Sequence, residues 1–171
     1  MCCSTGVPVW SKLLEVGDKV HNLPFIAVDR DGNVVVAGNF SGSLGVEEVT
    51  LAAGTGVTTP FVVKLSPSGA LLWAQRFETL SSLKAAYVEG LATDPAGNVA
   101  VTGHFSGSVR IGDVTHAASS SNAFYVTKLA ASTGSPLWRW MSSWRSSRAA
   151  PDAPAGCGRS ARIRRSRCTR V

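Results

Sequence analysis

Apolar residues occur along this chain in runs of about five to eight, closed by Gly, Asn, Asp and Ser, a pattern that predicts short strands joined by tight turns. FIAVD at 25–29 leads through the turn DGN into NVVVAGNF at 33–40. The second run is apolar on both faces near its start, as expected of a strand covered from two sides. FVVKL at 61–65 and LLWAQRF at 71–77 complete four predicted strands. Between the second and third strands, SLGVEEVTLAAGTGVTT at 43–59 is predicted to add a short hairpin to one face.

The same order of elements then returns. GLATD at 90–94, NVAVTGHF at 98–105, the excursion SVRIGDVTHAASSSNA at 108–123, YVTKL at 125–129 and PLWRW at 136–140 repeat the first set. Asp29 and Asp94, Gly32 and Gly97, Asn33 and Asn98, and Phe40 and Phe105 are each 65 residues apart. A turn ending in Gly, three residues and Trp occurs three times, at Gly6 and Trp10, Gly69 and Trp73, and Gly134 and Trp138. An ordered set of matches of this length is an internal repeat.

Four antiparallel strands per unit, with a Trp in the last, predict an all-β fold of propeller blades in preference to a sandwich or a solenoid. The spacing exceeds the roughly 40–50 residues of common blades, and the excursion accounts for the difference. The expected organisation is the last strand of a preceding blade at 1–16, blades at 17–80 and 81–141, and a disordered tail at 142–171. In this reading the turn Gly provides a positive φ, and each blade's indole grips the other blade. The segment 7–14 is a stray strand that could pair with the outer edge of the first blade.

On GNVAVTGHFSGS, YVTKL and STGSPLW, residues 4–141 resemble the bacterial seven-bladed β-propeller repeat family. The resemblance implies a secreted or surface-attached scaffold, usually without an assigned ligand or activity. ASTGSPLW is also similar to the tryptophan-docking repeats of quinoprotein dehydrogenases, which would imply a redox enzyme. The long repeat interval and the lack of a clear cofactor-binding constellation favour the scaffold.

Charge changes the picture only at the end of the chain. The net charge is +6, yet residues 1–141 hold 9 Lys or Arg against 10 Asp or Glu, while residues 142–171 hold 8 Arg against Asp152 alone. The tail lacks strand periodicity and its composition cannot form a packed core. Its place where another blade is due suggests a reading-frame slip in the coding DNA. It offers at most non-specific contact with polyanions. Cys2, Cys3, Cys157 and Cys168 lie outside the patterned body and have no metal-binding spacing. No apolar run approaches the about 18 residues that span a bilayer, and no secretory signal is visible.

Candidate chemistry is thin. His104 stands where the first repeat has Asn39, and His21 and His116 are isolated in sequence, so no metal is assigned. GNFSG and GHFSG place Ser41 and Ser106 at the fourth position, where a nucleophile elbow needs the third, and both serines are duplicated. DRDGN has its Gly at the fourth position of what a calcium loop would need at the sixth, and Ala96 replaces Asp31 in the second copy. Glu47, Glu48 and Asp113 lie on the excursions as solvated charge or as binding groups. Trp140 is expected to pack with Trp138, and Trp144 lies beyond any predicted element.

The sequence therefore predicts no catalytic, cofactor or metal site, and a set of structural residues: Gly6, Trp10, Gly32, Asn33, Phe40, Gly69, Trp73, Gly97, Asn98, Phe105, Gly134 and Trp138. Repeat folds need about three units before stacking covers enough surface. Two blades predict self-association, recruitment of blades from another chain, or marginal folding.

Overall fold

The structure, a computed structural model, describes residues 7–54, 56–80, 85–119 and 122–143. Gly6, Trp144, the four cysteines and the Arg-rich tail from 144 onward lie outside the described residues. Every regular element is a strand: β1 (Glu15–Val16), β2 (Lys19–Val28), β3 (Val34–Ser41), β4 (Ser43–Val46), β5 (Val49–Ala52), β6 (Thr59–Leu65), β7 (Leu71–Arg76), β8 (Glu78–Thr79), β9 (Ala86–Thr93), β10 (Val99–Phe105), β11 (Ser108–Ile111), β12 (Val114–Ala117), β13 (Ala123–Leu129) and β14 (Pro136–Ser143). Two four-stranded antiparallel sheets, β2-β3-β6-β7 and β9-β10-β13-β14, hold the repeated motifs. Each has a three-stranded companion, β1-β4-β5 and β8-β11-β12.

The repeated Asp-Gly-Asn turns explain how the first two strands of each sheet are joined. Asp29 Oδ1 accepts hydrogen bonds from the N–H groups of Asp31 and Asn33 at 3.0 and 2.9 Å, and Asn33 Nδ2 donates to Asp29 Oδ2 at 2.9 Å. Gly32 supplies φ 79°. Asp94, Gly97 and Asn98 repeat the arrangement, with φ 75° at Gly97 and the same three kinds of bond to Asp94. Asp thus carries the turn as much as Gly and Asn do.

The first strand of each sheet is longer than the apolar run predicts. β2 begins at Lys19 and shifts register between His21 and Phe25, with Asn22 at φ 66°. β9 begins at Ala86 and shifts opposite Thr102 and Gly103. These bulges interrupt the alternation, so the pattern before them is not legible as strand.

The excursions form the predicted hairpins, β4-β5 and β11-β12, and each gains a third strand that the sequence does not announce. After leaving β7, the chain adds β8 to the hairpin of the second repeat: Thr79 pairs with Val109 and Glu78 with Arg110. β1 does the same for the first repeat, pairing Glu15 with Gly45 and Val16 with Leu44. Residues 7–14 are not a ladder strand, so the expected stray strand does not pair with the edge of the first sheet. They lie over its face instead.

Two cores follow. One fills the space between the four-stranded sheets, with Val35, Ala37, Val62, Trp73 and Phe77 meeting Val99, Val101, Phe105, Tyr125 and Leu129. The other lies on the far face of the first sheet, where Phe40, Phe61, Val63 and Leu65 are covered by Leu44 and Val46 of the hairpin and by Trp10, Leu14 and Val16. Consequently β6 is buried along its whole length, whereas β13 alternates between buried and partly or fully exposed positions. Among the described residues, the first sheet is covered on one face by the second sheet and over most of the other by the hairpin and residues 10–16, which leave Ile26 and Val28 exposed, and the second sheet is covered on one face.

Candidate functional site

The most elaborate polar arrangement in the described residues is the seam between the two sheets. Lys64 sits in the mostly apolar β6 and is 2% exposed. Its Nζ lies 2.8 Å from Asp29 Oδ2, and it donates to the carbonyls of Gly97 at 2.9 Å and Ala131 at 3.2 Å in the second repeat. A buried ammonium is held only with such a set of partners, because desolvation otherwise favours its neutral form. Burial pushes the Asp29 carboxyl up, but hydrogen bonds from Lys64 and from the Asn33 side chain and backbone outweigh it and lower the group to about 2.

Trp73 docks beside this pair. Its Nε1 donates to Ala131 O at 2.9 Å, and a Cβ on Gly134 would stand 2.6 Å from Trp73 Cε3, so only Gly leaves room for the ring. Trp10 repeats the arrangement on the first sheet, donating to Pro67 O at 2.9 Å and lying against Gly69. Trp138 has no such seat among the described residues and is 49% exposed, against 7% for Trp73. The expected mutual grip is therefore corrected: docking runs one way along the chain, Trp10 and Trp73 each reaching forward onto the following sheet. The reason is that the two faces of a sheet differ, one bearing the Trp and the other its seat.

Further seam contacts come from residues with no sequence signal. Asn39 Oδ1 accepts from Val88 N–H at 2.8 Å, and Thr93 Oγ1 donates to Val28 O at 3.2 Å. Asn39 is fully buried, so the position that is His104 in the second repeat is a bridge between sheets here. A lysine duplicated within an apolar strand, at 64 and 128, was the available clue to the ion pair. Lys128 keeps its partner, 2.7 Å from Asp94 Oδ2, but both side chains remain about a quarter exposed. Hydrogen bonds from Lys128 and then Asn98 outweigh burial and hold the Asp94 carboxyl below the usual range.

The remaining predicted residues take structural places. Phe40 meets Phe61 edge-on at 6.0 Å, and Phe105 lies 6.4 Å from Tyr125. Ser41 Oγ donates to Asp18 Oδ2 at 2.7 Å and is 3.3 Å from His21 Nε2. The serine therefore stands between the acid and the imidazole, an order different from nucleophile, base and orienting acid. His104 Nδ1 lies 2.8 Å from Glu89 Oε1, and its ring stacks on Tyr87 at 5.0 Å. Glu47 is tied at the hairpin tip by Lys12 at 2.5 Å and by Leu71 N–H, while Asp113 is exposed and meets Arg139 at 3.0 Å. Trp138 and Trp140 are both exposed. Among the described residues, no three His, Cys, Asp or Glu side chains gather as metal ligands, and no helix is long and apolar enough to cross a membrane.

Hollows open at the surface of the described residues. One of about 340 Å³ is lined by Gln75, Arg76, Glu78, Arg110, Gly112 and Asp113, where Glu78 pairs with both arginines. Another, about 190 Å³ and mostly apolar, is bordered by Gly90, Leu91, Ala92, Ala100, Val101, Thr102 and Val126 in the second sheet.

No protein-family model matches the chain. The chain is similar to an uncharacterized WD repeat-containing protein of Acanthamoeba polyphaga mimivirus, 29% identical over 97 residues that cover 50% of this chain and 7% of the viral protein. The chain thus spans only a small part of that relative's length. Together with the repeated antiparallel sheets, the similarity supports a β-propeller-type repeat.

Proposed function

We propose that the chain is a non-enzymatic, propeller-type scaffold of a bacterial secreted or surface protein, whose sheets form a rigid base and whose hairpins make the contacts. The observation that supports this reading is that the repeated polar residues, Asp29, Lys64 and Trp73 among them, are engaged in holding one repeat to the next. Similarity to a WD repeat-containing protein points to the same propeller-like scaffold or binding role. The hairpin tips at Glu48, Val49 and Asp113 are exposed and outside the seam. A scaffold tolerates change there, since surface substitutions away from packed features stay within about 0.5 kcal/mol.

A titration with pyrroloquinoline quinone and calcium, followed by absorbance and dye reduction, tests the scaffold against a redox enzyme. No bound absorbance and no dye reduction are expected. Saturable binding with turnover would overturn the scaffold reading.

A further inference from the structure

We infer that the open face of the second sheet is a docking surface for a second copy of this chain, joined head to tail through the interface that the two sheets already make once. This rests on the scaffold reading above. The face that the first sheet turns towards the second is built from Val35, Ala37, Val62, Lys64 and Trp73. The second sheet has Ala100, Thr102, Val126, Lys128 and Trp138 at the matching places, with Thr102, Trp138 and the 190 Å³ hollow open to solvent.

The complement is present on the same chain. Where Leu91 of the second sheet packs against the core between the sheets, the first sheet has Ile26, which is 66% exposed, and Val28 beside it is exposed too. The carbonyls that receive Lys64, at Gly97 and Ala131, correspond by the repeat to those of Gly32 and Pro67. Lys128 of one copy therefore donates to Gly32 O and Pro67 O of the next, while Ile26 and Val28 fill the apolar hollow. Such an interface joins two different patches, so it propagates into a ring or a filament and does not stop at a symmetric dimer.

One feature separates this arrangement from adhesion of an apolar patch. Trp10 already occupies Pro67 O and the seat at Gly69. The incoming Trp138 competes with it. Removing Trp10 should therefore strengthen association, by about five- to tenfold if one hydrogen-bonded indole is released.

Sedimentation velocity on the full chain tests the proposal with two variants, Ala100→Arg on the donor face and Ile26→Arg on the acceptor face, each checked for the parent's circular dichroism and melting. The parent should associate with rising concentration, and each variant alone should stay monomeric. An equimolar mixture should form a single one-to-one complex, because each variant retains the face that the other lacks. Trp10→Ala should associate more tightly than the parent; if that variant does not fold, the mixing experiment decides alone. A monomeric parent, association by both single variants, or a monomeric mixture would overturn the proposal. So would association gained only on deleting residues 144–171, which would assign the face to that segment. These outcomes leave the scaffold reading intact, whereas quinone binding with turnover would remove that reading without touching the assembly.

Discussion

Replacing Lys64 by Met isolates the energetic role of the seam. The substitution keeps the length of an unbranched side chain but leaves the Asp29 carboxylate buried with its backbone and Asn33 donors only, and strips Gly97 O of its ammonium. Ala131 O keeps the Trp73 indole. Removing one member of a buried pair costs about 3–5 kcal/mol, a large part of the about 5–15 kcal/mol that holds a typical domain together. Lys128→Met is the internal control: same residue, same register, same carboxylate partner, but with no sheet over it among the described residues, so solvent screens this partly exposed pair and its loss should cost far less. Urea unfolding followed by tryptophan fluorescence measures both, with Trp73 reporting on the seam. Adding Asp29→Asn to Lys64→Met should recover part of the loss, since the uncompensated charge is then gone. Equal costs for Lys64→Met and Lys128→Met would refute the reasoning that cover by the neighbouring sheet, and not the local pairing, sets the magnitude.

Two further outcomes are expected. Gly56 and Gly134 have nearly the same φ, 66° and 67°, but a Cβ at Gly56 meets nothing within 4 Å whereas at Gly134 it meets the Trp73 ring. Gly56→Ala should therefore cost about 1 kcal/mol from backbone strain, and Gly134→Ala about 1–3 kcal/mol more from overpacking; equal thermal shifts for the two would contradict the seat assigned to Trp73. Acid sensitivity follows from Asp29, whose folded value of about 2 lies below its ordinary 3.8. Its stabilisation is complete above about pH 4 and is lost as pH falls towards about 2, because the unfolded chain binds the proton first. Asp94 acts in the same direction. Asp29→Asn should be less stable at neutral pH and should show a shallower loss of unfolding free energy across that window, and a slope as steep as the parent's would refute the assignment.

Much of the fold was legible in the chain because strand alternation and turn chemistry act over a few residues. FIAVD, NVVVAGNF, FVVKL and LLWAQRF each fall on a strand core, and Gly32 and Gly97 take the positive φ expected of them. The two-residue strands β1 and β8 were not legible, since so short a run has no period and is strand only because a hairpin lies beside it. The Asn22 bulge hid the first half of β2 in the same way. Of the seam, the repeated lysine was visible as a pattern, but its partners Gly97 and Ala131 are carbonyls, which every residue has.

The amino-acid sequence by itself determined the longer strands, the turns and the existence of two like units, because those depend on neighbours within a few positions. Tertiary structure alone decided which copy of each repeated residue is buried. Lys64 and Lys128 share the same local sequence of a strand ending in Lys-Leu, as Trp73 and Trp138 share a Leu-Trp step, yet Lys64 and Trp73 are enclosed while Lys128 is partly and Trp138 about half exposed. Desolvation is set by what lies across the face, and that is the position of another sheet, which no local pattern encodes.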